Sequence, residues 1–493
     1  MRKTFFFGLF VFTAFQSKAS EFAQINNLKV FAEKLRTDKK IPAISLGIIQ
    51  NGKILMAEGL GLRDREKQLP ANAETLFGIG SNSKAFTAVL AAQQVDQKLL
   101  TLDGALKQFF PELQLSDPIA ESSVSMRDLL SHQSGQARHD LMWLGATATR
   151  QELLARLPHL ETNLKFREKH QYSNLMYMLA GAISEKLGSK NWDTLLKEKL
   201  FNPLQMNRSN SSAKNFETLE NIALPYTENS SGQIVRRGIR VLDNMGPCGS
   251  INSNINDMLK WVEFLISQKT PDQKSLLSSE MFEELYKPLV AVESTYNKFP
   301  EFTPQQYAMG FRIHKYRGTS VVRHGGSIGG FVSSVVLLPD LKTGIVVLQN
   351  VDHFDAHHYI ALRAMDLLLG LPPIDWISRV EALPLHLQLK EDSDILENIK
   401  LEDPMQIIED PQSENLVGEF TNAGYGKIKI FEKEKRLHMQ FNDWTSTLTL
   451  NKFPIYKSSG NYNGDVEFEL VNGKVKNLRV NFETAVNAIR FEK

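Results

Sequence analysis

Apolar positions recur along this chain in two rhythms, one suited to strands and one to helices. Ala43 to Gln50 and Lys53 to Gly59 are apolar segments on either side of Asn51-Gly52. An Asn-Gly pair between such segments favours a tight hairpin turn, so two paired strands are predicted here. From Ser83 through Gln97 there is neither Gly nor Pro, and Phe86, Val89, Leu90 and Val95 fall at near-helical spacing, which predicts a helix. A long mixed region follows. In it Asp128-Leu129-Leu130, Leu175 to Leu187 closed by Gly188, and Met258 to Ile266 read as helices between loops rich in Gly, Asn and Ser. Strand patterning returns in Ser320 to Arg323, Phe331 to Leu338 and Gly344 to Gln349, with a turn over Pro339 to Thr343 joining the last two. A helical stretch from Ile360 to Leu371 ends at Gly370, with Pro372-Pro373 just beyond. Strands at both ends and helices between them describe one α/β domain over residues 21–371, its sheet assembled from distant parts of the chain.

The pattern then changes. Lys390 to Pro404 holds six acidic residues (Glu391, Asp392, Asp394, Glu397, Glu402, Asp403) and few apolar ones, which reads as a solvated connector within residues 372–412. Residues 413–493 alternate apolar and polar in Lys427 to Phe431, Leu437 to Phe441, Asp465 to Leu470 and Val475 to Phe482, with Asn472-Gly473 turning the last pair. This predicts a small antiparallel sheet or barrel. It carries no catalytic constellation, and covering the active-site cleft or mediating self-association are the roles expected of it.

At the N-terminus, Arg2 and Lys3 precede an apolar run from Phe5 to Phe15 and then Ser17-Lys18-Ala19. The run is too short for a spanning helix, and Ser17 and Ala19 are the small residues a signal peptidase needs, so residues 1–19 are predicted to be a signal peptide cut after Ala19. No Cys lies near that site for lipid anchoring, and no later segment approaches ~18 uninterrupted apolar residues. The mature protein is therefore expected to be periplasmic or secreted, with no membrane span.

Composition narrows the function. Of 493 residues, 42% are hydrophobic and 23% charged, and 57 Lys and Arg balance 56 Asp and Glu. A net charge of +1 removes the electrostatic case for a nucleic-acid partner. The single Cys, Cys248, excludes an internal disulfide and a cysteine-based metal site, so an exported protein must draw its stability from its core.

The sharpest local motif is Gly80-Ser81-Asn82-Ser83-Lys84 at the head of the first long helix. Residues three apart share a helix face, so Ser81 Oγ and Lys84 Nζ can meet. The positive end of the helix favours developing oxyanion charge at Ser81, and a lysine base must be buried in a polar pocket. A second instance, Ser211-Ser212-Ala213-Lys214, lies in a polar loop and shows how easily the pattern arises. Tyr172-Ser173-Asn174 precedes an apolar helix, and Arg323-His324-Gly325-Gly326-Ser327 lies in the late β region. Alone, the first reads as a helix cap and the second as a β-bulge.

In this order and spacing, Ser81-x-x-Lys84, Tyr172-x-Asn174 and His324-Gly325-Gly326 resemble the three signatures of the penicillin-recognising serine hydrolases. That superfamily includes class C β-lactamases, DD-peptidases, D-aminopeptidases and related esterases. Phe77-Gly78-Ile79-Gly80, Arg127 to Gly135 (Arg-Asp-Leu-Leu-Ser-His-Gln-Ser-Gly), Asn202-Pro203-Leu204-Gln205-Met206 and Gly329-Gly330-Phe331 are similar to phrases of the same family. The resemblance covers about Ile41 to Asn350. It implies a β-lactamase/transpeptidase-like domain: an antiparallel sheet with flanking helices and an inserted helical region, here followed by the small all-β domain.

The resemblance also implies an acyl-enzyme cycle without cofactor or metal, on a small-molecule or short-peptide substrate. Ser81 would be the nucleophile, with Lys84 and Tyr172 shuttling its proton and the identity of the acylation base left open. Asn174 would orient the substrate or Lys84, His324 and Gly326 would line the substrate site, and the backbone N–H groups of Ser81 and Ser327 would form the oxyanion hole. The third signature departs from the β-lactamase pattern, in which Lys-Thr/Ser-Gly holds a substrate carboxylate. His324 is similar to what D-aminopeptidases and several esterases carry, and so is the added β domain. The expectation is therefore a D-amino-acid-type peptidase or esterase, with a β-lactamase or DD-peptidase as alternative. A non-catalytic module of the same fold is a third reading, and homo-oligomerisation is left open.

Other motifs carry less. Lys342-Thr343-Gly344 lies in a turn and is read as a decoy. Gly325-Gly326-Ser327-Ile328-Gly329 fits a G-x-S-x-G nucleophile elbow, but a strand rather than a helix is predicted after it. Asp352-His353, Asp355 and His357-His358 lack metal-ligand spacing. Cys248, without a paired His motif, reads as a buried inert thiol.

Overall fold

The hairpin at Asn51-Gly52 forms between β1 (Ala43–Gln50) and β2 (Lys53–Asp64), in a computed structural model that describes residues 24–384, 387, 413–460 and 462–493. The expected signal segment and the acidic run lie outside the described residues. After the hairpin come α1 (Ser83–Asp96), α2 (Met126–Leu130), α3 (Asp140–Trp143), α4 (Asn174–Gly188) and α5 (Ile255–Ser267). The chain then returns through β3 (Arg312–Tyr316), β4 (Thr319–Ile328), β5 (Phe331–Leu338), β6 (Thr343–Gln349) and α6 (Ala356–Leu368).

These strands make one antiparallel sheet in the order β2-β1-β6-β5-β4-β3, extended by Leu69–Pro70 beyond β2 and by Gln306–Tyr307 and Val290–Ala291 beyond β3. The sheet is closed across the chain by pairing β1 with β6, Ile48 facing Ile345. Every residue of β5 and β6 is buried, which is why these strands read as continuous apolar runs rather than alternating ones. The helix α5 lies so close that a Cβ at Gly47 would sit 2.7 Å from Ile255, and one at Gly344 would sit 2.7 Å from Val262.

At the centre, α1 is buried on nearly all sides, with Phe86 stacked on Trp261 at 3.8 Å. Truncating so large a buried ring costs about 3–5 kcal/mol. The helix α4 carries Leu175, Met176, Tyr177, Met178 and Leu179 into the same core.

Residues 418–492 form a closed eight-stranded barrel, β7 to β14: Gly418–Asn422, Gly426–Lys433, Arg436–Phe441, Trp444–Lys452, Ile455–Gly460, Gly464–Val471, Lys474–Val480 and Ile489–Glu492. Alternating positions such as Ile428, Ile430, Met439, Phe441, Val466 and Phe468 turn inward and are fully buried, as closure of a small barrel requires. The barrel docks on the helical region: Asn442 Nδ2 donates to the carbonyls of Leu141 and Leu144, and Gly424 lies against His159 and Leu160.

Two expectations change. The His324 to Ser327 segment is no bulge: β4 and β5 keep one register from Val322 opposite Leu337 to Ile328 opposite Phe331. The glycines serve close approach instead, since a Cβ at Gly326 would lie 2.0 Å from the Ile79 carbonyl oxygen. Within the stretch assigned to the connector, Trp376–Glu381 is a helix, held because Trp376 packs among Tyr296, Phe299, Phe302 and Tyr316.

Candidate active site

Ser81 lies in a single 3-10 turn, Gly80–Asn82, that runs into α1. Gly80 has φ +51°, and a Cβ there would strike the Ser327 backbone N at 2.6 Å, so only glycine fits. The turn is pinned to the sheet by Ser333, whose hydroxyl donates to the Ile79 carbonyl at 2.8 Å and accepts from Asn82 Nδ2 at 2.7 Å. From the other side, Ile79 N donates to the Ile251 carbonyl and Ile251 N to Ser83 Oγ. The nucleophile candidate is thus set on a rigid support, with a little of its surface open.

Lys84 is completely buried, which meets the requirement for a lysine base. Its Nζ donates to Ser81 Oγ at 2.9 Å, Asn174 Oδ1 at 2.8 Å and the Cys248 carbonyl at 2.9 Å, and lies 4.7 Å from the centre of the Tyr172 ring. Three acceptors and an aromatic face compensate the burial of the group. The Cys248 carbonyl is presented by a short helical turn, Gly246–Gly249, whose Pro247 carbonyl accepts from Thr87 Oγ1 at 2.7 Å. Cys248 is a buried free thiol, and what it brings to the site is its backbone oxygen.

Asn174 is the first residue of α4. Its Nδ2 donates to Asp140 Oδ1 at 3.0 Å, while Asp140 Oδ2 accepts from Arg138 Nε at 2.7 Å. Tyr172 is packed between the Arg138 guanidinium, 5.1 Å from its ring centre, and His132, 4.3 Å away. The His132 Nδ1 accepts from Ser173 N at 3.1 Å, which fixes the chain between Tyr172 and Asn174. Complete burial, reinforced by the basic groups of His170, Lys84, His324 and Arg138, holds the His132 pKa well below the ordinary histidine value, so the ring is neutral.

His324 lies on β4, buried, with Nε2 2.8 Å from the Tyr307 hydroxyl and Nδ1 facing the Gly325 carbonyl. Its ring centre is 6.4 Å from that of Tyr172. Gly326 packs against Ser81: a Cβ on it would be 3.0 Å from Ser81 N. The backbone N of Ser327 meets the same turn at Gly80. Ser81, Lys84, Tyr172, Asn174, His324, Gly326 and Ser327 are therefore brought together. His132, Tyr307, Asp140 and the Cys248 carbonyl also belong to the site. Of these only His132 had a signal in the sequence, through the Arg127 to Gly135 phrase.

The discarded motifs lie elsewhere. Ser211 Oγ is bonded to Asp193 and Lys214 is exposed. Lys342 is exposed, at the end of β5 remote from Phe331, about 23 Å along the strand at ~3.3 Å per residue. Ser327 is followed by a two-glycine turn into β5, which excludes a nucleophile elbow. Asp352 pairs with Arg237, and His353 Nε2 bonds the Lys39 carbonyl. Among the described residues no cluster of His, Cys, Asp or Glu could hold a metal.

The family model described as beta-lactamase matches residues 28–369. The chain belongs to the beta-lactamase family. It is a serine hydrolase of that family, and the match ends where α6 closes the catalytic domain. It is 26% identical over 379 residues to an "Unguisins hydrolase ungD'" of Aspergillus campestris, covering 71% of this chain and 67% of the relative. The chain spans 60–67% of the length of the unguisins hydrolases and the Staphylococcus aureus flp protein that it matches. Among solved structures, the octameric penicillin-binding protein homologue from Pyrococcus abyssi superposes with a TM-score of 0.64 at 24% identity, over 95% of this chain and 100% of that one. The D-amino acid amidase from Ochrobactrum anthropi SV3 superposes with 0.58 at 20% identity, over 70% and 97%. These two likenesses establish the fold, the first of them across the barrel as well.

Proposed function

We propose that this beta-lactamase-family hydrolase is exported and cleaves amide or ester bonds of D-amino-acid type through an acyl-enzyme at Ser81. The observation that carries the reading is the buried Lys84 Nζ, in hydrogen-bond contact with Ser81 Oγ and beneath the Tyr172 ring. Ser81 Oγ attacks the carbonyl carbon while its proton passes to Lys84 or Tyr172. The carbonyl oxygen, now negative, is met by the N–H groups of Ser81 and Ser327. Collapse expels the amine or alcohol, which takes the proton back, and water then attacks the ester to release the acid and restore Ser81.

The choice of amide or ester over β-lactam is supported by His324, both of whose ring nitrogens face protein partners where a β-lactamase carries a lysine for the substrate carboxylate. Family relatives named as hydrolases and a fold neighbour named D-amino acid amidase point the same way. A β-lactamase or DD-peptidase is the competing reading. Turnover by the purified protein of D- and L-aminoacyl amides, p-nitrophenyl esters and nitrocefin, with Ser81→Ala as control, tests it: amide or ester cleavage lost in the variant supports the proposal. Efficient nitrocefin hydrolysis without either would replace it. Export is tested by N-terminal sequencing of the mature protein, expected to begin at Ser20. Self-association, suggested by the octameric neighbour, is tested by sedimentation.

A further inference from the structure

The backbone of His139 has φ +47°, a left-handed conformation that a non-glycine residue adopts only when its surroundings impose it. Two of the groups imposing it come from the C-terminal barrel, almost three hundred or more residues away in sequence. Glu483 Oε2 accepts the His139 backbone N–H at 2.8 Å, and the Tyr425 hydroxyl lies 2.8 Å from His139 Nδ1. The other ring nitrogen, Nε2, is 2.8 Å from the Glu161 carbonyl. A carbonyl only accepts, so Nε2 carries the proton and Nδ1 accepts from Tyr425. Burial holds the His139 pKa below the ordinary value, which keeps the ring in this neutral form.

The next residue is Asp140, itself almost fully buried. A carboxylate only accepts, so its bond to Asn174 forces the Asn174 amide to present Nδ2 to Asp140 and Oδ1 to Lys84. Were Asp140 displaced, that amide could rotate and turn its N–H groups toward the lysine ammonium, removing one of the three acceptors that hold Nζ beside Ser81. The chain of contacts is continuous: Glu483 and Tyr425 to His139, then Asp140, Asn174, Lys84 and Ser81.

We propose that the barrel completes the active site from a distance, with Tyr425 and Glu483 acting as positioning residues that set Asp140 and, through the fixed amide of Asn174, the catalytic lysine. This rests on the hydrolase reading above. Its test uses the full-length protein carrying Glu483→Ala, Glu483→Gln, Tyr425→Phe or Asp140→Asn, with Glu419→Gln, in an exposed barrel ion pair, as control. The rate at which a fluorophosphonate labels Ser81 is followed by intact mass, with kcat and KM on a p-nitrophenyl ester.

Labelling and kcat are expected to fall about 10–100-fold in Asp140→Asn, Glu483→Ala and Tyr425→Phe with KM little changed, the loss typical of a misplaced reacting group. Glu483→Gln keeps an acceptor for the His139 N–H and should recover most of the rate. Tyr425→Phe retains the ring that stacks on Phe482, so it reports even if Glu483→Ala does not fold. Wild-type labelling in folded Tyr425→Phe and Glu483→Ala, a loss confined to KM, or a Glu483→Gln as slow as Glu483→Ala overturns the proposal and leaves the hydrolase reading standing. A wild-type chain whose Ser81 does not label overturns both.

Discussion

The Tyr307 hydroxyl lies 2.8 Å from His324 Nε2, and the opposite ring nitrogen faces the Gly325 carbonyl. Because that carbonyl only accepts, Nδ1 carries a ring proton, and Nε2 pairs with the Tyr307 hydroxyl. His324 is thereby locked as a wall of the site. Tyr307→Phe removes this hydrogen-bond partner from a buried ring, at a cost of about 1 kcal/mol. The urea unfolding midpoint of this variant should fall by a matching amount with an unchanged slope. An unchanged midpoint would mean that the hydroxyl does not hold the ring.

Ser81, Lys84 and Tyr172 should act as a unit. Ser81→Ala, Lys84→Ala and Tyr172→Phe are each expected to lose at least about 10³-fold in turnover, the scale seen when one member of a nucleophile and base set is removed. Lys214→Ala and Lys342→Ala, both at exposed positions, should stay within about twofold of wild type. Steady-state rates on one ester substrate check all five. A Lys342 variant as damaged as Lys84→Ala would make Lys342-Thr343-Gly344 the third motif after all.

Gly326→Ala probes the close approach between β4 and the nucleophile turn. The added methyl would lie 2.0 Å from the Ile79 carbonyl oxygen and 3.0 Å from Ser81 N, and both are backbone atoms that cannot swing aside. The turn must move, which is expected to cost about 1–3 kcal/mol of stability and about 10²-fold in labelling of Ser81. Denaturant midpoints and fluorophosphonate kinetics measure the two effects separately.

The parts of this site that are legible in the sequence are those whose chemistry depends on residue type at short range. Ser81 and Lys84 share a helix face, and Tyr172 and Asn174 straddle a helix start, so spacing makes each pair possible, and the occurrence of the three motifs together and in order singles them out. The sheet, too, was readable as strands from both ends of the domain, because fully buried strands write themselves as apolar runs. What spacing could not reveal is what meets across the chain. Cys248 reaches Lys84 over 164 positions through a carbonyl that any residue would have, so its thiol misdirects attention. Tyr307 and Asp140 carry no motif, and their roles exist only once β4, α3 and α4 are packed. The Gly325-Gly326 pair looked like a bulge because glycine marks both a distorted strand and a crowded one, and only the packing of Ile79 distinguishes them.

Stability should fall with acid before the carboxylates titrate. His132 and His139 are both held below the ordinary histidine pKa, chiefly by burial. In the unfolded chain each takes up a proton near pH 6.5, whereas in the folded chain each stays neutral to lower pH. The unfolded state then binds more protons, so unfolding free energy decreases as pH drops below about 6.5, by up to ~1.4 kcal/mol per pH unit for each histidine. From about one pH unit above that value both states are neutral at these positions and the contribution is fully present. Urea unfolding at pH 7.5, 6.5 and 5.5 should show a loss of about 0.7 kcal/mol between the first two and a larger one, of about 2 kcal/mol, to the third. His132→Phe is expected to be less stable at pH 7.5, because Ser173 N loses its acceptor, but its decline between pH 6.5 and 5.5 should be shallower by roughly 1 kcal/mol. A variant with the wild-type slope would show that His132 takes up its proton in the folded protein as readily as in the unfolded one.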